Sequence, residues 1–272
     1  VKSKYDMYKA SGKEQDFAQE YMLEIVDLST LLVEEDDIKW YDPMLVLQNK
    51  GAYNIYISTD FATSTKKSAD FSTIAVWAIS YNNDWLLVDG QCKRQSMQDN
   101  IEDLFGYAKK WKPISVGIES SGQQGGFLSI IEEMKLQRNI WFQFAKKPGS
   151  KEPGIRPIKD KVHRFVTGVQ PKFKQGKIWF PKPEIVKSSN YRLFELVEEM
   201  INELSKFTMA GGIASLKHDD AIDTLNQLSE MELYAPSDDS VIEKSVVTEG
   251  GLVWTGIWED EEDSDYRGST VF

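Results

Sequence analysis

The acidic residues that could do chemistry stand at three places where the sequence predicts a strand to end or a helix to begin. Asp60 and Glu119 each follow a β-rich apolar stretch, and the pair Asp219 and Asp220 precedes a helical pattern. Carboxylate oxygens are preferred ligands of Mg²⁺ and Mn²⁺, and two such ions roughly 3.5–4 Å apart can hydrolyse a phosphodiester. The positions therefore predict a two-metal site, provided that the fold brings these segments to one edge of a sheet.

Each of these acids also has an ordinary structural interpretation. Asp60 suits a turn, Glu119 suits the solvated end of a strand, and Asp219 and Asp220 suit the N-cap of a helix. The joint arrangement favours the metal site, because the acids occur in a chain order that one α/β fold brings together.

The elements that must position these acids follow a regular order along the chain: three strands, a helix, a strand, a helix, a strand and then further helices. Strands are predicted at 53–59, 73–80, 85–88, 114–118, 140–144 and 176–180, and helices at 97–111, 127–134, 159–169, 191–207 and 221–234. This order predicts an α/β fold with a ribonuclease H-like mixed sheet. In such a sheet an antiparallel three-strand meander is extended by parallel strands and flanked by helices.

Three regions are expected from composition. Residues 1–50 have the character of a lead-in, residues 51–234 carry the patterned domain, and residues 235–272 form an acidic tail that is expected to be flexible. The tail holds ten acidic residues against two basic ones, and therefore most of the net charge of −11.

A basic stripe stands in contrast to that overall charge. Residues 144–187 contain twelve Lys and Arg residues against three acidic ones, which fits either phosphate binding or a solvated surface. The candidates for contact with a DNA backbone are Lys146, Lys147, Lys151, Arg156, Lys159, Lys161, Arg164, Lys172, Lys174 and Lys177.

Composition also excludes several classes of protein. The single cysteine, Cys92, allows no intrachain disulfide, and two histidines nearly exclude a multi-histidine metal centre. No apolar run approaches the roughly 18 residues that span a bilayer, and residues 1–10 lack the apolar core of a signal peptide. The phosphate-loop pattern G-x-x-x-x-G-K-[ST] is absent, so ATP hydrolysis is not expected.

Three stretches carry a resemblance to a known family. They read ISTDFA followed by SADFSTI, VGIESSGQQG, and KHDDAID, and they contain Asp60, Asp70, Glu119, Asp219 and Asp220. Together they look like the nuclease domain of tailed-bacteriophage large terminase subunits, over roughly Tyr53 to Leu233, with the last motif the most specific.

The resemblance implies a metal-dependent endonuclease that cuts concatemeric double-stranded viral DNA with two Mg²⁺ or Mn²⁺ ions. It implies that Asp60 is shared by both ions, that Glu119 is a second ligand, and that Asp219 or Asp220 is the third. Asp70 is an auxiliary candidate, and Asp223 is expected to cap its helix or form a salt bridge. The segment from Lys172 to Lys182 resembles a basic hairpin beside the terminase active site.

The family context also implies partners and a location. Portal and small terminase subunit would be met through a full-length protein in the host cell cytoplasm, and the lead-in would follow a missing ATPase domain. Two other interpretations stay open. One is a Holliday-junction resolvase-like or other ribonuclease H-like nuclease, and the other is a non-catalytic module that docks on DNA or the portal.

Overall fold

The computed structural model describes residues 31–62, 71–120, 127–157, 159–209 and 219–237, together with two short strands near the C-terminus. The strands are β1 (Lys39–Tyr41), β2 (Asn54–Asp60), β3 (Ser72–Ile79), β4 (Trp85–Lys93), β5 (Ser115–Gly117), β6 (Gln143–Phe144), β7 (Ile178–Pro181), β8 (Val246–Thr248) and β9 (Gly251–Val253). The α-helices are α1 (Met44–Gln48), α2 (Met97–Trp111), α3 (Phe127–Arg138), α4 (Lys161–Arg164), α5 (Gln170–Lys174), α6 (Pro183–Ser189), α7 (Tyr191–Leu204) and α8 (Asp220–Glu230).

Seven strands form one mixed sheet in the order β1-β7-β4-β3-β2-β5-β6. The hairpin-connected strands β2, β3 and β4 pair antiparallel, and the pairs β2–β5, β5–β6, β4–β7 and β1–β7 are parallel. The predicted α/β, ribonuclease H-like arrangement of a meander extended by parallel strands is confirmed.

Strand β3 lies at the centre of the sheet, and six of its eight residues are apolar. All eight of its residues are buried, as expected for a strand covered on both faces. Ala75 and Trp77 face a core layer that also holds Leu196 of α7 and Leu225 of α8. The alternate residues face a second layer that includes Leu104 of α2 and Ile131 of α3. Two helical layers therefore sandwich the sheet.

Residues 39–41, within the predicted lead-in, contribute to this sheet. Strand β1 pairs in parallel with β7, and the buried Tyr41 donates a hydrogen bond from its hydroxyl to the Leu87 carbonyl, 2.7 Å away. Residues 39–41 are therefore an edge of the sheet rather than a lead-in to it. Near the other end of the chain, β8 and β9 pair as a short antiparallel hairpin that the expectation of a flexible tail did not include.

The prediction of a basic hairpin from Lys172 to Lys182 is wrong. This segment contains the end of α5 and then β7, which pairs in parallel with β1 on one side and β4 on the other. A short strand flanked by lysines has the same local pattern in a hairpin and in a sheet interior, so the sequence could not separate the two.

No helix among the described residues is both long enough and apolar enough to cross a membrane.

Candidate active site

Strand pairing places Asp60 and Glu119 at the same height, at the end of the sheet where β2 and β5 finish. Asp60 is the last residue of β2, and the parallel register of β2 with β5 sets Ser58 opposite Gly117. Asp60 and Glu119 each lie two residues further along the sequence, Asp60 after Ser58 and Glu119 after Gly117. Because side chains alternate between faces with a period of two, both acids continue on the face that Ser58 and Gly117 occupy.

Helix α8 is fastened to the end of β2 by the side chain of Gln227. The Thr59 amide donates to the Gln227 Oε1 at 2.8 Å, and the Gln227 Nε2 donates to the Thr59 carbonyl at 2.9 Å. Thr59 also donates from its hydroxyl to the Gly117 carbonyl at 2.8 Å. The amide side chain thus continues the hydrogen bonding of β2 where β5 has ended, and it fixes the distance of the helix from the strand.

This close approach needs a glycine on β5. A Cβ at Gly117 would lie 2.5 Å from the Gln227 Oε1 and 2.8 Å from the Met231 Sδ, well inside normal contact distance. The sequence therefore lets α8 sit directly over the strand end that leads to Glu119.

The N-terminus of α8 is capped by an acid from another helix. Glu203 of α7 is 1% exposed and accepts hydrogen bonds from the amides of Ala221 and Ile222, at 3.2 and 2.7 Å. Burial outweighs these bonds and raises the pKa of Glu203 from 4.5 to about 9. Asp219 occupies the N-cap position, yet its side chain makes no capping hydrogen bond. Capping is therefore done by Glu203, which leaves the Asp219 side chain for other contacts.

The carboxyl groups are close enough to perturb one another. Burial raises the pKa of Asp60 well above its usual range, Asp223 and Asp220 raise it further, Lys161 opposes them, and Glu119 adds to the increase. Acids from β2, from the end of β5 and from α8 therefore share one electrostatic environment. Asp220 is buried and accepts a hydrogen bond from the Phe71 amide at 2.8 Å, which ties it to the start of β3.

Two cations from the segment around α4 enter this group of acids. The Lys161 Nζ lies 2.5 Å from Asp219 Oδ2 and also contacts Asp223 Oδ2. The expected salt bridge of Asp223 is thereby confirmed. Arg164 is buried, with Nη2 3.6 Å from Asp223 Oδ1 and Nη1 3.3 Å from Glu230 Oε2. Both Lys161 and Arg164 were candidates for DNA contact, and the structure directs both towards carboxylates of α8.

The donor chemistry of the site fits a hard divalent cation, because the groups that meet here offer only oxygen. As they stand, however, no three Asp, Glu, His or Cys side chains among the described residues are grouped so that they could hold a metal ion. Asp219 and Asp223 are engaged by Lys161, and Asp220 is engaged by a backbone amide. The acids converge, but their oxygens are directed to internal partners.

A basic segment runs past the Glu119 side of the site. Ile155 forms a parallel bridge with Glu119, with its amide donating to the Ile118 carbonyl at 2.9 Å and its carbonyl accepting from the Ser120 amide at 3.0 Å. Gly154 allows this approach, since its φ is +90° and a Cβ there would meet the Ser120 side chain at 2.6 Å. The exposed basic residues of this region are Lys146, Lys151, Arg156 and Lys159.

The remaining basic candidates lie elsewhere or are paired. Lys147 is bound to Glu230 at 2.7 Å. Lys177 precedes β7 and binds Asp84 at 2.9 Å, at the end of the sheet opposite Asp60, because Ile178 pairs with Trp85 and Trp85 with Ile79. Lys172 stacks on Trp85 at that same end, and Lys174 binds Glu34 and Asp37. The structure does not bring Lys172, Lys174 or Lys177 to the carboxylates of the candidate site, Asp60, Glu119, Asp219 and Asp220. Asp70 lies outside the described residues.

Comparison with known proteins gives a likeness of fold. No family model matches the chain, and no curated protein matches it. Among solved structures, the human cytomegalovirus terminase nuclease domain, Mn-soaked and inhibitor-bound, aligns at 12% identity and a TM-score of 0.46, over 74% of this chain and 100% of the other. The chain is structurally similar to terminase nuclease domains.

A second group of similar structures comes from thermophilic phage G20c. Its large terminase nuclease with bound magnesium aligns at 12% identity and a TM-score of 0.45, over 74% of this chain and 96% of the other. The same nuclease with bound zinc aligns at 14% identity and a TM-score of 0.41, over 71% and 86%. At these identities the likeness concerns the fold alone.

Two residues important to the site were not found from the sequence. Gln227 and Glu203 position α8, but a glutamine inside a helix and one glutamate among several on α7 carry no local signal. For Gln227, the spacing from Asp220 is a partial signal. Gln227 stands seven residues beyond Asp220, which places both on the same face of the helix.

Proposed function

We propose that the chain is a metal-dependent DNA endonuclease of a viral genome-packaging terminase, cutting concatemeric double-stranded DNA by two-metal hydrolysis. The proposal is supported by the strand register that sets Asp60 level with Glu119, and by the Gln227 hydrogen bonds that hold α8, with Asp220 and Asp223, against the end of β2. In agreement with this geometry, burial, Asp223 and Asp220 raise the pKa of Asp60. Acids concentrated in this way, with a basic segment beside them, suit the binding of cations and of phosphate.

The proposed ligands are Asp60, Glu119 and the pair Asp219 and Asp220, with Mg²⁺ or Mn²⁺ as the ions. When bound, such ions supply an activated water and neutralise charge on the scissile phosphate and its leaving oxygen. Asp70 stays an auxiliary candidate from the sequence. Asp223 is not among the proposed ligands, and its role is electrostatic: it raises the pKa of Asp60.

The chain's own side chains hold the substrate and the geometry. Lys146, Lys151, Arg156 and Lys159 are exposed and would bind backbone phosphates, which positions a duplex without reading its sequence. Gln227 and Glu203 would keep α8 at a fixed distance from β2, so that the acids of the helix and of the strand face the same phosphate.

Digestion of a supercoiled plasmid with Mn²⁺ tests the proposal. The wild-type chain should nick and linearise the plasmid, EDTA should stop the reaction, and Asp60→Asn should reduce cleavage below detection while a gel-shift assay finds DNA binding nearly unchanged. The control is Asp36→Asn, which removes an exposed acid outside the site and should cut like wild type. Metal-dependent nicking that survives in Asp60→Asn would contradict the assignment of this residue.

The substrate panel separates the related possibilities. A terminase-type nuclease should cut linear duplex and supercoiled plasmid, whereas a resolvase-like enzyme should prefer a four-way junction. A docking module should cut none of the three with any divalent ion.

A further inference from the structure

Lys161 contacts one of the proposed ligands, Asp219, and the neighbouring Asp223. Its ammonium group contacts Asp219 Oδ2 at 2.5 Å and also Asp223 Oδ2, so that it joins two carboxylates one helical turn apart on α8. The same charge lowers the pKa of Asp60 against the effect of the surrounding acids. One ammonium group thus acts on acids from both β2 and α8.

The backbone of Lys161 is held in place by its neighbours on α4. Asp160 caps this helix by accepting from the His163 amide at 2.9 Å. Arg164, 8% exposed, bridges Asp223 and Glu230, and the Asn226 side chain donates to the Lys161 carbonyl at 3.4 Å. These contacts anchor α4 to α8 independently of the Lys161 ammonium.

The Lys161 side chain is partly exposed to solvent. The Lys161 side chain is 31% exposed, and its four-carbon stem can swing to solvent without opening the core. Burial alone would lower the pKa of Lys161, but Asp223 and Asp219 outweigh burial and raise it, so the group carries its charge throughout the neutral pH range. A partly exposed, charged ammonium group therefore contacts Asp219, one of the proposed metal ligands, and Asp223 beside it.

Resting on the proposed function, we propose that Lys161 is an internal counter-ion that competes with divalent metal ions for the acidic cluster and so sets the metal concentration at which the site fills. For Asp219 to hold a metal ion, the ammonium would have to leave that carboxylate, while Arg164 stays and keeps α4 docked.

Mn²⁺ binding, measured by electron paramagnetic resonance of the free ion in the absence of DNA, tests the proposal without any cleavage assay. Lys161→Gln removes the competing charge and should bind Mn²⁺ about tenfold more tightly or better, since a unit charge at contact distance from a partly buried cluster strongly opposes a second cation. Lys161→Arg keeps the charge and should bind like wild type. Lys109→Gln, which alters an exposed lysine on α2, should also bind like wild type.

Thermal melting supplies a second measurement. Without metal, Lys161→Gln leaves the acids unneutralised, so it should melt below wild type, and saturating Mn²⁺ should raise its melting temperature by more than that of wild type. If the variant folds only with Mn²⁺, the rescue itself supports the proposal.

Two other outcomes would contradict the proposal. Equal or weaker Mn²⁺ binding by Lys161→Gln, with wild type binding measurably, would overturn the role of Lys161 and leave the proposed nuclease standing. Absence of Mn²⁺ binding in every variant would overturn both.

Discussion

Neighbouring acids at the start of one helix can have separate partners, as Asp219, Asp220 and Asp223 do. Asp220 accepts from the Phe71 amide, whereas Asp219 and Asp223 share the Lys161 ammonium. The positions of these acids at a helix start were predictable from the sequence, because Gly and polar residues precede a clear apolar periodicity. Their partners were not, since charge pattern gives no information on the direction of a side chain. That is why Lys161 was predicted to face DNA, although its ammonium lies among carboxylates.

Glu203 makes stability depend on pH in a direction that can be predicted. Its pKa is raised from 4.5 to about 9 in the folded chain, so between these values the unfolded chain releases a proton that the folded chain keeps. Stability from this residue is therefore fully present below pH 4.5 and decreases as pH rises towards 9.

Glu203→Gln removes this titration and should change the pH profile. Between about pH 5 and pH 8, the free energy of unfolding of the variant minus that of wild type should rise by up to about 4 kcal/mol. Urea denaturation at a series of pH values measures this difference, in which the other titrating groups cancel. A difference that stays constant with pH would mean that Glu203 is ionised in the folded chain.

At the scale of elements, the site depends on how closely α8 lies against β2 and β5. Gly117→Ala would place a methyl group 2.5 Å from the Gln227 Oε1, so the helix must shift or the Gln227 hydrogen bonds to Thr59 must break. We expect a loss of about 1–3 kcal/mol in the free energy of unfolding, together with weaker Mn²⁺ binding because Asp220 moves with the helix.

The matched control for that change is Gly51→Ala. Gly51 is exposed, and a Cβ there would have no atom within 4 Å. Denaturation and Mn²⁺ titration of both variants should separate them clearly. If Gly117→Ala behaves like Gly51→Ala, the fit of α8 against the strand end is looser than the contacts indicate.

The long elements of the fold were predictable from the sequence, whereas the lengths and partners of the short strands were not. Helix α2 begins and ends where its periodicity predicts, and the structure adds a cap in which Ser96 accepts from the Asp99 amide. The meander follows from continuous β-rich runs. Strand β1 has three residues and β6 has two, too few to show a period. Their pairing is decided by tertiary contacts, as is the parallel pairing of β7, where a hairpin was predicted.

At the scale of the whole molecule, charge is unevenly distributed along the chain. Residues 238–272 contain ten acids and two basic residues, whereas the stripe at 144–187 is strongly basic. The chain contacts β2 just before this acidic segment: Tyr234 donates from its amide to the Tyr56 hydroxyl at 2.8 Å and accepts at its carbonyl from Asn54 at 2.9 Å. Removal of residues 238–272 therefore leaves the contacts of Tyr234 with β2 in place.

This deletion should leave the melting temperature nearly unchanged and strengthen binding to duplex DNA. We expect roughly tenfold tighter binding at low salt, because the removed segment repels phosphate, with a smaller gain at high salt. Fluorescence anisotropy with a labelled duplex at two salt concentrations measures both effects. Unchanged affinity at low salt would show that the acidic segment does not influence the basic surface.

The central claim, that carboxylates from β2, from the end of β5 and from α8 hold divalent ions together, is tested most directly by crystallography with manganese. An anomalous difference map from a crystal soaked in Mn²⁺ should contain a peak within coordination distance of Asp60 and of at least one of Glu119, Asp219 and Asp220, with Lys161 moved away from Asp219. A map in which these side chains are ordered and no peak touches Asp60 would contradict the account.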